Sequence, residues 1–221
     1  MTAGGPQLDG DRVLALAYVP TARRAALAAL WRLDVALGAV LAGGNEPLIS
    51  QIKLAWWRDS LDKLDREKAP AEPVLQEVAQ HVLPLVSGSE LSAMEEGWGV
   101  LLSQEALTSE DLAGYAAGRG ALLFRHSATL LGVRLSSDME TAGEAWALVD
   151  LARHSNPADA ENAMAATAER LRPLRWPSPL RPLGMLAALA ARDVQRGLGN
   201  LEPHGAPGRM LRMLRHRLTG G

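Results

Sequence analysis

PTARRAALAALWRLDVALGAVL, residues 20–41, decides the fold class. Alanine and leucine, strong helix formers, fill it, and apolar residues recur at three- and four-residue spacing. Pro20 suits the first turn of a helix, where a missing N–H costs nothing, and Gly43-Gly44 stops the run before Asn45, which can cap the next helix. Arg32 and Asp34 interrupt the apolar window 25–40, so it falls short of the roughly 20 uncharged residues of a membrane-spanning helix.

Outward from this segment the helical period continues. It predicts a short helix over 11–18 and further helices over 46–65, 74–86, 90–106, 109–131, 137–154, 157–171, 180–198 and 207–218. Thr108 with Asp111 forms an acidic capping box, and Ser155 to Pro157 closes one helix and opens the next. Alternating runs of β-branched residues, the mark of strands, do not occur. The expectation is an all-α, single-domain helical bundle over 11–221, preceded by a flexible N-terminus, 1–10. Its one linker-like stretch, 172–182, carries four prolines.

At 221 residues and 48% hydrophobic composition the chain can bury a core without disulfides, and it contains no cysteine with which to make one. A net charge of −2 gives no overall attraction for nucleic acid. No secretion signal is read in 1–10, so a cytoplasmic location is expected.

In 46–65, Leu48, Ile52, Ala55 or Trp56, and Leu61 form the expected apolar face, with Lys53, Asp59, Asp62 and Lys63 opposite. Asp59, Asp62 and Asp65 share a spacing that could chelate magnesium, but the intermingled Arg58, Lys63 and Arg66 mark an exposed, salt-bridged surface. Adjacent Trp56 and Trp57 differ by about 100° on a helix, so one enters the core and the other reaches a second surface. The five histidines show no metal-ligand spacing. Gly114, Gly118 and Gly120 cost about 1 kcal/mol each inside a helix, which close helix packing or room for a bound chain would offset. At the C-terminus, Arg209, Arg212, Arg215 and Arg217 alternate with Met210, Leu211, Met213, Leu214 and Leu218 without any acid. That basic amphipathic helix suits an anionic membrane surface, a partner protein, or a capping position on the core.

Ala17-Tyr18-Val19-Pro20 with Arg23-Arg24, then Ala29-Leu30-Trp31, Glu46-Pro47-Leu48 and Leu54-Ala55-Trp56-Trp57-Arg58-Asp59 together resemble the squalene/phytoene synthase family. The likeness is to its divergent alphaproteobacterial branch and the related mitochondrial complex I assembly factors. Tyr115-Ala116, Leu131-Gly132 and 143–148 extend it. The resemblance implies an isoprenoid-synthase bundle in which two aspartate-rich motifs hold magnesium for prenyl diphosphates. Counted from Trp31, the first of those motifs falls on Gly38, Ala39 and Ala42, while the second meets Asp150 and Arg153 but then His154, Pro157 and Ala158.

The resemblance therefore implies a non-catalytic module, without magnesium or another cofactor. It would bind an isoprenoid or other lipid, or a respiratory-complex protein client, peripherally at the inner membrane. Trp31, Trp57, Tyr115 and Gly118 are its cavity candidates, and Arg209, Arg212, Arg215 and Arg217 its membrane or partner contacts. The competing expectation is a magnesium-dependent prenyltransferase, joining prenyl diphosphates head to head, with displaced ligands Asp34 and Asp150 and a contribution from Asp59 or Asp62.

Overall fold

The computed structural model describes residues 6–43, 46–103 and 106–221; Gly44 and Asn45, the expected stop and cap, and residues 1–5 of the expected flexible N-terminus lie outside them. The described residues are all-α. Helix α1 (Gly10–Ala17) starts at Asp9, whose side chain accepts from the Asp11 and Arg12 N–H groups, so part of the expected flexible stretch is a formed cap. Helix α2 (Thr21–Ala42) runs through the core, with Leu27, Leu30, Trp31, Leu33 and Leu37 buried. It is long and apolar enough to cross a membrane by length and composition, yet most of that surface is already packed inside the bundle.

Helices α3 (Pro47–Lys63), α4 (Pro73–His81), α5 (Gly88–Ser92) and α6 (Met94–Gly99) follow; α3, α4 and α6 pack against α2, and α5 packs against α3. The expected helix over 90–106 is broken: α5 and α6 are short, a 3-10 turn covers Val100–Leu102, and residues 104–105 lie outside the described ones. The expected apolar face of α3 is also corrected. Ser50, Leu54, Trp57 and Leu61 face inward, whereas Leu48, Ile52 and Trp56 are 67%, 62% and 46% exposed. Both sets have helical spacing, and the packing of α3 against α2 and α5 decides which one is buried. The two tryptophans diverge as expected and meet edge to face at 5.3 Å.

Helix α7 (Ser109–Tyr115), a π-helical turn (Ala116–Ala121) and α8 (Leu122–Leu130) form one continuous helix, begun by the Thr108–Asp111 capping box. The glycines serve close packing. A β-carbon on Gly118 would lie 2.7 Å from the Gly97 Cα in α6, and one on Gly120 would strike the Gly143 carbonyl. Helix α9 (Ser137–Ala152) lies against that π turn, α10 (Pro157–Arg170) against α9, and α11 (Arg181–Arg196) with α12 (Pro207–Thr219) closes the bundle beside α1.

Candidate functional site

A cleft of about 810 Å³ opens between α2 and α9, within the roughly 300–1,000 Å³ typical of small-molecule sites. Asp34, Val35, Gly38, Ala39, Leu41 and Ala42 give the α2 wall; Asp150, Leu151 and His154 stand across from it, with Tyr115 and Arg119 between. The three α2 positions where the family resemblance places aspartates thus face the cleft as glycine and alanine. Gly38 has a structural reason: a β-carbon there would lie 2.7 Å from the Trp98 ring.

Asp34 and Asp150 do meet across the bundle, but around a guanidinium. Arg119 is 2% exposed. Its Nε donates to Asp34 Oδ1 at 2.9 Å and its Nη2 to Asp34 Oδ2 at 3.0 Å, a bidentate pair. Its Nη1 lies 2.7 Å from Asp150 Oδ2 and also donates to the Tyr115 hydroxyl. Arg12 adds a second cation, with Nη2 donating to Asp34 Oδ2 at 2.8 Å and Nη1 to Asp9 Oδ2 at 2.9 Å. The Trp98 ring stacks 4.2 Å from the Arg119 guanidinium carbon, so the cation is covered by an aromatic face.

These contacts outweigh the cost of burial. Burial pushes the Asp150 carboxyl up, but the charges of Arg119 and then Arg12 hold it well below the usual aspartate range. Burial disfavours charge on Arg119 as well, and Asp34, followed by Tyr115 and Asp150, keeps it firmly protonated. The Tyr115 hydroxyl is driven up by burial and stays neutral, accepting from Arg119 Nη1. The π turn carries Arg119, and such turns, which add a residue to a helical repeat, recur at functional sites.

A second ion network ties α12 to this site. Arg209, 3% exposed, donates from Nε to Asp11 Oδ2 at 2.9 Å and from Nη1 to Asp193 Oδ1 and Oδ2 at 2.6 and 2.8 Å. Arg153 Nη2 completes it at 2.7 Å from Asp193. Arg209 is therefore no surface contact: two buried carboxylates turn it inward. His216 is buried too, and burial, then Arg212 and Arg181, lowers its pKa to about 4, so it adds no charge near neutrality. Arg215 is exposed, Arg212 and Arg217 are half-buried, and Arg217 covers the Tyr18 ring at 5.5 Å.

Among the cavity candidates, Tyr115 lines the cleft. Trp31 is a core residue whose Nε1 donates to Ser127 Oγ at 3.1 Å, Trp57 fills the inner face of α3, and Gly118 meets Gly97; none of these three lines the cleft. The acids of α3 do not converge. Asp59 pairs with Arg58 and Asp62 with Arg66, while Asp65 accepts from the Gly88 and Ser89 N–H groups and caps α5.

One group of possible metal ligands, Asp9, Asp11 and His204, gathers among the described residues, a pairing the histidine spacing did not reveal. Its carboxylate oxygens already accept from the Asp11, Arg12 and Gly205 N–H groups, from His204 and from Arg12 and Arg209. Arg12 and Arg119 are the site residues that sequence reasoning missed. Arg119 carried a signal: no acid stands three or four positions away on its own helix, so its counter-charge had to come from elsewhere.

A family model described as squalene/phytoene synthase matches residues 7–171, well over half of the chain. That range includes the whole Arg12–Asp34–Arg119–Asp150 network and ends before Asp193 and Arg209. No curated protein and no solved structure matches the chain.

Proposed function

Because the chain belongs to the squalene/phytoene synthase family, with its all-α isoprenoid-synthase fold, we propose that it is a non-catalytic member whose cleft binds a lipid or a protein client at a membrane surface. The observation that carries this reading is the Arg119 guanidinium between Asp34 and Asp150. A prenyl diphosphate brings several negative charges, which hard cations on carboxylate oxygens must offset. Here those oxygens already neutralise a fixed, buried cation. Magnesium entering the same place would face a guanidinium of like charge in a low-dielectric setting, at a cost of several kcal/mol. Gly38, Ala39 and Ala42 add no oxygen ligand from their side chains, and Asp59 and Asp62 stand outside the cleft, so the magnesium-dependent prenyltransferase reading loses its remaining donors.

Incubation of the protein with magnesium and labelled farnesyl or geranylgeranyl diphosphate is expected to release no more diphosphate than a protein-free control. Magnesium-dependent release that Asp150→Ala abolishes, in a variant that still folds, would overturn the proposal.

The docking surface we assign to the 207–218 segment, in the domain spanning 11–221, uses Arg212, Arg215 and Arg217 with the exposed Leu211 and Leu218. The resemblance to the alphaproteobacterial branch and the complex I assembly factors supports the reading of a cytoplasmic protein, peripheral on the inner membrane, that serves a respiratory-complex client. Arginine stems would cover apolar surface while their heads meet anionic lipid or an acidic partner. Co-sedimentation with anionic vesicles at low salt is the expected result. It should fall by most of its extent in Arg212→Glu/Arg215→Glu and in about 0.5 M salt, where exposed charges are screened within a few ångströms. Unchanged sedimentation of the double variant would remove this surface from the proposal.

A further inference from the structure

The cleft's charge and unmet hydrogen bonds narrow what it can hold. We infer that its ligand is a neutral long-chain lipid whose head group presents an uncharged oxygen, a hydroxyl or a carbonyl; this rests on the reading of the cleft as a binding site. Three observations converge on it.

The first is charge. Among the described residues the cleft is lined by the carboxylates of Asp9, Asp34, Asp150 and Asp159 against the guanidiniums of Arg12 and Arg119. Even if His154 and His204 were both protonated, positive charge would only equal negative. Both guanidiniums are already engaged by carboxylates, so an anionic head would enter an acidic cleft with no free cation to receive it.

The second is hydrogen bonding. Among the described residues, the buried side-chain polar atoms of the cleft lining that have no partner are Arg12 Nε and Trp98 Nε1, and both are donors. Buried donors are rarely left unmatched, so an acceptor that reached either atom would satisfy a donor that the fold itself leaves open. A neutral oxygen supplies one without adding negative charge.

The third is the wall. Val35, Ala39, Leu41, Leu101, Leu102 and Leu107 make an apolar lining that suits an acyl or polyprenyl chain.

Titrating the full chain with oleyl alcohol, oleate, and farnesyl diphosphate with magnesium, followed by tryptophan fluorescence, tests the assignment. The alcohol is expected to bind saturably. Oleate and the diphosphate should each bind at least about tenfold more weakly, equivalent to about 1.4 kcal/mol. Ala39→Trp, which fills the cleft from an exposed wall position, should abolish alcohol binding while leaving the unfolding midpoint unchanged. Equal or tighter binding of oleate or the diphosphate would overturn the neutral-head assignment and leave the cleft a lipid site. Failure of all three to bind, or alcohol binding that Ala39→Trp leaves intact, would remove the lipid-cleft reading itself.

Discussion

Arg119→Leu is expected to destabilise the protein by about 3–5 kcal/mol, because it leaves two carboxylates in the bundle without the cation that both of them face. Urea unfolding at neutral pH measures the loss as a lower midpoint with an unchanged slope. The pH dependence gives a signature that simple loss of packing would not. In the native chain Asp150 has its pKa depressed below the ordinary aspartate value of 3.8, so its contribution is present above that value and is lost as pH falls through the lowered one. Without Arg119 the largest of the lowering influences is lost while burial remains, so the carboxyl moves up from its depressed value. The variant's deficit should then be largest near neutrality and shrink as pH falls toward the ordinary aspartate range. Adding Asp150→Asn to Arg119→Leu should recover part of the loss, since Asp34 keeps Arg12 while Asp150 loses the cation it pairs with.

Arg209→Leu is expected to cost about 3 kcal/mol, the lower end for breaking a buried ion pair, because Asp11 keeps His204 and the Gly205 N–H and Asp193 keeps Arg153. The effect should also be local. Hydrogen exchange is expected to accelerate across α12 and the neighbouring end of α1, while α2 and α9 keep their protection. A uniform rise in exchange over the whole chain would contradict Arg209 as the specific tether of α12. The same geometry explains why truncating the C-terminal helix is a poor test of membrane docking: the deletion removes a buried ion-pair partner together with the surface arginines.

Much of the fold was legible in the sequence because helix boundaries here are written in local chemistry. Pro20 ahead of α2, Thr108 with Asp111 ahead of α7, and Asn156-Pro157 ahead of α10 each act within one turn of chain. The phase of α3 was not legible. Leu48, Ile52 and Trp56 make as good a stripe as Leu54, Trp57 and Leu61, and only the position of α2 and α5 decides between them. Within the broken 90–106 stretch, Gly97 meets the backbone of Gly118, a tertiary contact with no local sign.

The site divided in the same way. Asp34 and Asp150 are visible in the sequence as acids on two helices, but only as displaced ligands of the competing magnesium-dependent reading. The charge between them is not visible. Arg119 sits 85 residues from Asp34 and Arg12 sits 22 residues before it, so nothing in local spacing pairs them. The arginines of the last helix were over-read, because a helical wheel cannot tell that Asp11 and Asp193 draw Arg209 inward while Arg215 stays outside. Isolated charges on apolar helices, Asp34 in α2 and Arg119 in the π turn, are the transferable signal: each demands a partner from another element.

The proposed function rests on a guanidinium standing between Asp34 and Asp150, the displaced metal ligands of the competing reading. A crystal of the full chain soaked in manganese and farnesyl diphosphate tests it most directly, since manganese can be located by its anomalous scattering. The account predicts Arg119 still bidentate on Asp34 and in contact with Asp150, with no anomalous peak between the two carboxylates. Manganese bound to Asp34 or Asp150 at ligand distance, with Arg119 displaced, would contradict it.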